Sequence, residues 1–325
     1  MFTGPLFIVG APRSGTKLLR DLVKQHPGIG IPDYETEFLP RLEQIHTRFG
    51  DLSDSREFNR FYEWATRFMY FKYMEDEGRL IPAHSWYTSC QSYGIQGLFE
   101  ALCRHDAGVP TGSAGVWGDK SPNYREHLPL IDALWPEARV VHIVRDVRDV
   151  SLSSHKAWGK HVLRNSQRWF DEVGGCRREG QKLGERYLEL RYEDLLSEPE
   201  RWLGAIAEHV GKRFDPAMLH PDRPSENLGD TKGQLDIVAS NTAKWKERMD
   251  EPTQRAIEAC CGPLLSELGY ERRYPQEPHR RFSQRQMLQW KLQDGASLFR
   301  FRVRDWGLRD AVKYSISQVE STLGG

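Results

Sequence analysis

The sequence predicts an α/β fold of three layers, in which helices cover both faces of a central, mainly parallel sheet. Two largely apolar runs, Leu6–Val9 and Arg139–Val144, have the pattern of strands that are buried on both faces. A polar turn and then a helical pattern follow each run. Strands that alternate with helices are typical of a parallel sheet, because each crossover returns the chain through a helix that covers one face.

The first half of the chain continues from the strand at Leu6–Val9. A glycine-containing turn leads into an amphipathic helix over Lys17–Gln25, and Ile29–Ile31 is a second, short strand. The segment Thr36–Glu77 has a helical pattern rich in aromatic residues, most of which we expect to pack in the core. A further helix is predicted over Tyr93–His105.

The second half repeats the alternation of strands and helices. Val116–Gly118 is a short strand that ends in a polar turn beginning at Asp119. The remaining predicted elements are the strand at Arg139–Val144, a helix through about Trp158, a strand at Arg186–Leu190, and helices at Glu198–Val210 and Pro252–Leu268. Ligands of such sheets bind at the carboxyl ends of the strands, so we expect the polar clusters that follow the strands to share one edge.

We expect the 325 residues to form two parts. The α/β domain spans residues 1–275, and residues 280–325 form a basic, aromatic and largely helical extension. Within that extension, Arg280–Lys313 contains nine basic and three acidic residues. Such a segment is a candidate for peripheral membrane contact or for contact between two copies of the chain.

Composition and charge argue against several classes of function. The formal net charge is zero and no recognised nucleic-acid-binding fold accompanies the basic segment, so no nucleic-acid partner is expected. The five cysteines include no Cys-x-x-Cys pair, which argues against a disulfide framework or a zinc site. The amino terminus has no signal-peptide pattern and no run approaches the ~20 apolar residues of a membrane span, so we expect a cytoplasmic location.

The most informative motif is Val9–Leu19 (VGAPRSGTKLL), the turn between the first strand and the first helix. Gly10 and Gly15 have the spacing of the phosphate-binding P-loop of nucleotide hydrolases. Thr16 and Lys17, however, stand in the reverse of the order that such loops require. The motif therefore raises the question of which phosphate it binds.

This turn is suited to an anion even without a P-loop lysine in its usual place. Backbone N–H groups and the dipole at a helix N-terminus attract phosphate. Arg13 adds a fixed positive charge, and the hydroxyls of Ser14 and Thr16 are further donors. Taken alone, the motif is equally compatible with a purely structural turn.

A second polar cluster follows the strand at Arg139–Val144. Arg145 stands at the end of the strand, and Ser153 follows eight residues later on the next predicted helix. An arginine fork and a hydroxyl can hold a second phosphate. Arg145 and Asp146 can equally form a surface ion-pair network.

Together, "PLFIVGAPRSGTKLL" and "VVHIVRDVRDVSLSSHKAW" resemble the motifs of sulfotransferases that use 3′-phosphoadenosine 5′-phosphosulfate (PAPS) and have a P-loop-like fold. The resemblance implies that Arg145 and Ser153 bind the 3′-phosphate. It also implies that the 5′-phosphosulfate is bound by the loop residues Arg13, Ser14, Gly15, Thr16 and Lys17.

Three further stretches resemble the tyrosylprotein sulfotransferase branch of this family. "YETEFLPR" places a catalytic base at Glu35, and "GDKSPNY" places at Lys120 the lysine that assists the leaving group. "LRYEDLLSEP" places at Tyr192 the tyrosine that contacts the adenosine part of the cofactor. The resemblance is only loose over Leu228–Trp245, where Lys244 is a candidate ligand.

The implied reaction moves a sulfuryl group from PAPS to an acceptor hydroxyl by in-line attack. Glu35 would take the hydroxyl proton, while Arg13 and Lys120 stabilise negative charge on the sulfuryl and leaving oxygens. The acceptor is a sugar, a glycolipid, a small metabolite or a peptide tyrosine. PAPS has no β- and γ-phosphate pair that needs a bridging magnesium ion, so no metal is expected.

Two other classes of function stay open on the sequence. A P-loop kinase or nucleotide hydrolase would use the same loop, and the order of Thr16 and Lys17 argues against it. A non-catalytic nucleotide-binding module would keep the fold without the chemistry, and the presence of Glu35 and Lys120 argues against that.

The eleven histidines show no metal-ligand spacing such as His-Glu-x-x-His. His142 lies within a predicted buried strand and is expected to be a core residue. His155 and His161 follow the second motif and are alternative bases, which we rank below Glu35.

Overall fold

The computed structural model describes residues 1–225, 228–309 and 311–312. Five parallel strands form its sheet: β1 (Leu6–Gly10), β2 (Ile29–Gly30), β3 (Val116–Lys120), β4 (Arg139–Val144) and β5 (Tyr187–Arg191). They lie in the order β2-β3-β1-β4-β5, so the order reverses at β1. In sheets of this kind the carboxyl ends of the strands at the reversal form the binding crevice. The predicted α/β fold with a parallel sheet is confirmed.

Helices connect the strands and follow the last of them. Those before β5 are α1 (Thr16–Val23), α2 (Leu39–Ile45), α3 (Ser55–Ala65), α4 (Met69–Asp76), α5 (Ala83–Ser89), α6 (Ile95–Asp106), α7 (Leu128–Leu134), α8 (Val147–Trp158) and α9 (Val162–Lys182). Those after β5 are α10 (Tyr192–Ser197), α11 (Pro199–His209), α12 (Trp245–Arg248), α13 (Glu251–Glu267) and α14 (Gln284–Trp306). Within the described ranges, no helix combines the length and apolarity that a membrane span requires.

The described residues divide into two compact units. The first unit contains Met1–Val144, residues 175–225 and Lys232–Ala239, and therefore holds the whole sheet. The second unit contains Arg145–Gly174, Leu228–Thr231 and the described residues from Ser240 onward. The domain boundary predicted from composition, between residues 275 and 280, stays a prediction.

In the first unit, β1 is buried on both faces, as its continuous apolar run predicts. Phe7 and Val9 belong to one hydrophobic cluster, to which α2–α7 contribute. Leu6 and Ile8 belong to another, to which α1, α10 and α11 contribute. Each such buried side chain stabilises the fold by about 1.5–3 kcal/mol. Helices on both faces complete the three layers that the sequence predicts.

Two of the predicted elements, the strand at Val116–Gly118 and the helical segment Thr36–Glu77, differ clearly from those observed. β3 does not end at Gly118, because Asp119 pairs with Phe7 and Lys120 pairs with Ile8 in the ladder between β3 and β1. The backbone pairing overrides the low strand preference of these two polar residues. The segment Thr36–Glu77 is not one helical stretch but contains three separate helices, α2, α3 and α4.

In the second unit, a buried arginine joins α8, α12 and α13. Arg148 donates to Asp146 and to Glu258, with N···O distances of 2.6 and 2.8 Å, and its guanidinium lies 3.5 Å from the ring centre of Trp245. A paired and stacked guanidinium of this kind is costly to remove, because its partners would be left buried without a counter-charge. The sequence also allowed Arg145 and Asp146 to form an ion-pair network. In the structure it is Arg148 that pairs with Asp146 and forms this network.

Candidate active site

The turn from β1 to α1 is built for a close approach of the backbone to a ligand. Gly15 has a φ of +93°, a conformation that glycine adopts without strain, and it directly precedes α1. A Cβ on Gly15 would lie 2.3 Å from the ring of Tyr192. Gly10 is equally constrained, since its Cβ would lie 2.6 Å from the carbonyl oxygen of Ile143. Both glycines of the motif are thus required by the geometry of the turn.

The side chains of this turn fit a phosphate group. Arg13 has a φ of +73°, which costs an arginine conformational energy and is a strain typical of functional loops. The Oγ of Ser14 is fully buried and has no hydrogen-bond partner among the described residues. A buried hydroxyl without a partner is costly unless a ligand completes its bonding. Together with the N-terminus of α1, these groups suit an anion such as a phosphate.

Glu35 and Lys120 form a direct ion pair in the first unit. The Nζ of Lys120 donates to Oε1 of Glu35 at 2.6 Å. The Lys120 side chain is fully buried, whereas 32% of the Glu35 side chain is exposed. The pKa of Lys120 is lowered, mainly by burial. The Glu35 carboxylate acts to raise this pKa, whereas the positive charges of Arg20 and Lys17 lower it further. The pair thus places a carboxylate that solvent can reach against a buried ammonium near the phosphate loop.

Hydrogen bonds hold the segment around Glu35 onto the end of β3. The hydroxyls of Thr36 and Ser121 donate to Oδ2 of Asp119 at 3.0 and 2.8 Å. The Thr36 hydroxyl is also bonded to the hydroxyl of Tyr124 at 2.8 Å. Because Thr36 adjoins Glu35 and Asp119 adjoins Lys120, this network fixes the two chain segments from which the ion pair is made.

Asp119 lies in the candidate site but was not predicted as a site residue from the sequence. Its carboxylate is fully buried, and Oδ1 has no hydrogen-bond partner in the part of the chain that the structure describes. Burial raises the pKa of Asp119 to about 7, against the hydrogen bonds from Ser121 and Thr36. Its position directly before Lys120 could have drawn attention to Asp119. The sequence predicted a polar turn at this point, however, and a carboxylate in a turn is expected to be exposed and not buried in a strand.

A second carboxylate lies near the ion pair. Glu37 has a φ of +46° and accepts a hydrogen bond from the side-chain amide of Asn123 at 2.6 Å. Burial raises the pKa of Glu37, and the charge of Glu35 adds to the rise. Glu35 is therefore the carboxylate that is held against a cation, while Glu37 is held by a neutral amide.

The second unit contains Arg145 and Ser153, the two residues predicted to hold the 3′-phosphate. Arg145 is almost fully buried directly before α8, and its Nη2 donates to the carbonyl oxygen of Asn241 at 2.8 Å. The same nitrogen lies 3.9 Å from a carboxylate oxygen of Asp149. Ser153 is half-buried on α8. The Arg145 guanidinium is thus positioned by the Asn241 carbonyl oxygen and by Asp149, whose carboxylate is just close enough to form an ion pair.

The second unit also holds a cation cluster that sequence analysis largely missed. Lys156, Lys244 and Arg248 all form ion pairs with Asp230, and the distances from Lys244 and Arg248 are 2.7 and 2.6 Å. Hydrogen bonds from Lys156 and Lys244 hold the pKa of Asp230 well below its usual range. Only Lys244 was singled out from the sequence, since ion pairs between residues so distant in the chain leave no local pattern.

The candidate histidines have structural surroundings. His142 is fully buried in β4, with its Nδ1 2.6 Å from the hydroxyl of Tyr187. His155 is exposed at the end of α8, and His161 stacks on Trp290 with ring centres 4.2 Å apart. Among the residues described, no group of three or more His, Cys, Asp or Glu side chains is arranged to hold a metal ion.

Comparison with known proteins agrees with this geometry. A model of the sulfotransferase family matches residues 5–216. Protein-tyrosine sulfotransferase 1 of Danio rerio is 25% identical over 289 residues, which are 82% of this chain and 72% of that protein. The protein-tyrosine sulfotransferase of Drosophila melanogaster is 23% identical over 284 residues, which are 82% of this chain but only 51% of that protein. The chain thus spans about half the length of this second relative.

Solved structures show the same fold. The sulfotransferase domain from the curacin biosynthetic pathway is 21% identical to this chain, with a TM-score of 0.54, and the match covers 83% of this chain and 98% of that domain. The family model extends over well more than half of the chain, from β1 through the second predicted phosphate motif and beyond. The chain therefore belongs to the sulfotransferase family, which confirms the predicted sulfotransferase class.

Proposed function

We propose that this sulfotransferase transfers the sulfuryl group of PAPS to an acceptor hydroxyl with Glu35 as the general base. The observation that carries the proposal is the 2.6 Å ion pair between Glu35 and the fully buried Lys120. Lys120 is the last residue of β3, which pairs with β1, and the end of β1 leads into the glycine turn. A base and a cation are what sulfuryl transfer requires beside a phosphate-binding loop.

PAPS supplies the sulfuryl group and a phosphate leaving group. As the bond from sulfur to the acceptor oxygen forms, the bond from sulfur to the bridging phosphate oxygen breaks, and the acceptor proton passes to a carboxylate oxygen of Glu35. The products are a sulfate ester and adenosine 3′,5′-bisphosphate. The ion pair with Lys120 holds the Glu35 carboxylate in position to accept this proton.

Lys120 is suited to stabilise negative charge as it develops on the leaving oxygen. A fully buried ammonium acts through a medium of low dielectric constant, so its effect on a nearby anion is stronger than in water. Its pKa is lowered by burial, which makes Lys120 readier to give up a proton than an exposed lysine. The network of Thr36, Asp119 and Ser121 keeps both partners in place.

The residues that would bind PAPS follow from the two motifs. In the first unit, Ser14 and Arg13 would bind the 5′-phosphosulfate, and the ring of Tyr192 would contact the adenosine beside Gly15. In the second unit, Arg145 and Ser153 would bind the 3′-phosphate. Guanidinium and hydroxyl donors on a phosphate form charge-assisted hydrogen bonds, which are about twice as strong as neutral ones.

We propose a peptide tyrosine as the first acceptor to test. The Danio rerio and Drosophila melanogaster relatives are both named protein-tyrosine sulfotransferases, and each match covers 82% of this chain. A rat relative named carbohydrate sulfotransferase 7 is 32% identical but covers only 28% of this chain. Sugars, glycolipids and small hydroxylated metabolites belong in the same assay as competing acceptors.

The test combines binding with transfer. Calorimetry with adenosine 3′,5′-bisphosphate measures cofactor binding, and radiolabelled PAPS with each acceptor class measures transfer. Glu35→Gln should reduce kcat by about 10²–10⁴ while bisphosphate binding stays close to that of the unaltered chain. Glu43→Gln, which alters an exposed carboxylate on α2, is the matched control.

Each alternative has its own result in this experiment. If Glu35→Gln keeps full activity and Glu37→Gln loses it, Glu37 is the base and the assignment to Glu35 is wrong. If the chain binds Mg·ATP tightly and the bisphosphate not at all, it acts on nucleotides as a P-loop kinase or hydrolase would. Bisphosphate binding without transfer to any acceptor class would favour a non-catalytic module.

A further inference from the structure

The long C-terminal helix α14 is anchored to the second unit by one face. Trp290 stacks on His161, and the ring of Phe282 packs edge-on against Trp290. Asp294 accepts hydrogen bonds from the backbone N–H of His161 at 2.7 Å and from Arg164 at 2.6 Å. Asp294 is almost fully buried, so these contacts fix which side of the helix faces inward.

The opposite face of α14 carries a second apolar stripe that points outward. Leu288 and Leu292 are one helical turn apart and are 60% and 69% exposed. At 3.6 residues per turn, the half-buried Phe299 and Val303 continue the same line toward the C-terminal end of the helix. Leu308, just beyond α14, is another highly exposed leucine. Large apolar side chains in such a row mark a surface that another apolar phase covers.

Cations border this stripe. By the same helical geometry, Arg300 lies on one side of it and Lys291 and Arg302 on the other. Of the two carboxylates on α14, Asp294 is on the inner face and neutralised by Arg164, which leaves Asp305 alone to offset the positive charge. The outer face is thus apolar along its centre and positive along both edges.

We propose that the outer face of α14 docks on the surface of an anionic lipid bilayer. A helix lying in the plane of a bilayer places its apolar stripe among the acyl chains and its lysines and arginines among the headgroup phosphates. The long stems of these cations also pack against the apolar region while their charges stay in water. The net charge of the chain is zero, so the attraction to the bilayer is local to this face.

The charge pattern favours a bilayer over a second copy of the chain. If the outer faces of two α14 helices packed together, the cations on both edges would oppose cations of the other copy. Like charges in such a position disfavour pairing of helices. An anionic surface instead makes each of these cations favourable, and each strengthens binding about fivefold.

The experiment is sedimentation of the full chain with vesicles of phosphatidylcholine alone and of phosphatidylcholine mixed with phosphatidylglycerol. We expect binding to the mixed vesicles only, and weakening of that binding by salt. The double variant Leu288→Ser, Leu292→Ser should bind at least about tenfold more weakly, because two exposed leucines no longer enter the bilayer. Leu235→Ser, at a leucine that is 49% exposed in the first unit, is the matched control and should bind normally.

Several results would overturn the proposal. One is a lack of binding to either kind of vesicle. A second is equal binding by the double variant and the unaltered chain. A third is a dimer of the unaltered chain, seen by light scattering, that is absent from the double variant. The last result would assign the stripe to a second copy. The variant Lys291→Gln, Arg300→Gln keeps both leucines and should also bind more weakly, by about tenfold or more. Transfer activity on a soluble acceptor reports separately on the catalytic proposal, since no altered residue belongs to the active site.

Discussion

Asp119 makes a pH-dependent contribution to stability that a single substitution isolates. Its carboxylate lies fully buried beside Lys120, and burial raises its pKa from 3.8 to about 7. Between these two values the folded chain keeps a proton that the unfolded chain has released. The free energy of unfolding therefore falls as the pH rises through this window, and the full loss is reached above about pH 7.

The magnitude follows from the change in pKa. Each pKa unit corresponds to about 1.4 kcal/mol, so ionisation of Asp119 costs up to about 4 kcal/mol of stability above pH 7. Asp119→Asn cannot ionise, and its amide oxygen still accepts from Thr36 and Ser121. The difference in unfolding free energy, variant minus unaltered chain, should therefore rise by up to about 4 kcal/mol from pH 4 to pH 8.

Urea denaturation at a series of pH values measures this difference. The shift in the urea concentration at half-unfolding, multiplied by the slope m that both proteins share, gives the difference in unfolding free energy. Asp236→Asn, which makes the same change at an exposed carboxylate, is the control. A difference for Asp119→Asn that stays constant from pH 4 to pH 8 would refute the reasoning, because it would mean that Asp119 titrates alike in the folded and unfolded chain.

Three further substitutions test other parts of the site. Lys120→Met should lower kcat by about 10²–10³ in the PAPS transfer assay, because the lost charge acts on the leaving oxygen. Binding of the bisphosphate, measured by calorimetry, should change little. An unchanged kcat would exclude this role for Lys120. Gly15→Ala should lower stability by about 1–3 kcal/mol in urea and weaken bisphosphate binding, since the added Cβ would lie 2.3 Å from Tyr192. Gly78→Ala has a similar positive φ but no neighbour within 4 Å, so a loss as large as that of Gly15→Ala would show that the contact with the tyrosine is irrelevant. Asp230→Asn should lower Tm by about 2 °C or less at pH 7, and this loss should begin to shrink only as the pH falls below the unfolded-chain pKa of 3.8, because the lowered pKa keeps the folded carboxylate charged and ion-paired in mild acid. A loss that disappears already between pH 7 and pH 5 would contradict this.

Features that depend on neighbouring residues could be predicted from the sequence. The apolar runs of β1 and β4, the glycine turn after β1 and the alternation of strands with helices are local patterns, and the parallel sheet follows from them. Glu35 and Lys120 could be named only through resemblance to a family, because a carboxylate and a lysine 85 positions apart show no sign of contact in composition or spacing. The same limit applied to Asp230 and the cations that surround it.

The sequence by itself determined the α/β class, the glycine turn after β1 and the family, because short stretches with a sufficient periodicity or residue order specify each of them. Only the tertiary structure decided that β3 extends through Lys120, since this depends on backbone pairing with β1. Burial in that strand in turn sets the ionisation of Asp119 and the charge environment of the ion pair. The tertiary structure also decided which face of α14 turns outward, because the inner face is chosen by contacts with His161 and Arg164, over 120 positions away. Long-range contacts control solvation, and solvation controls both the chemistry of the buried groups and the surface left for partners.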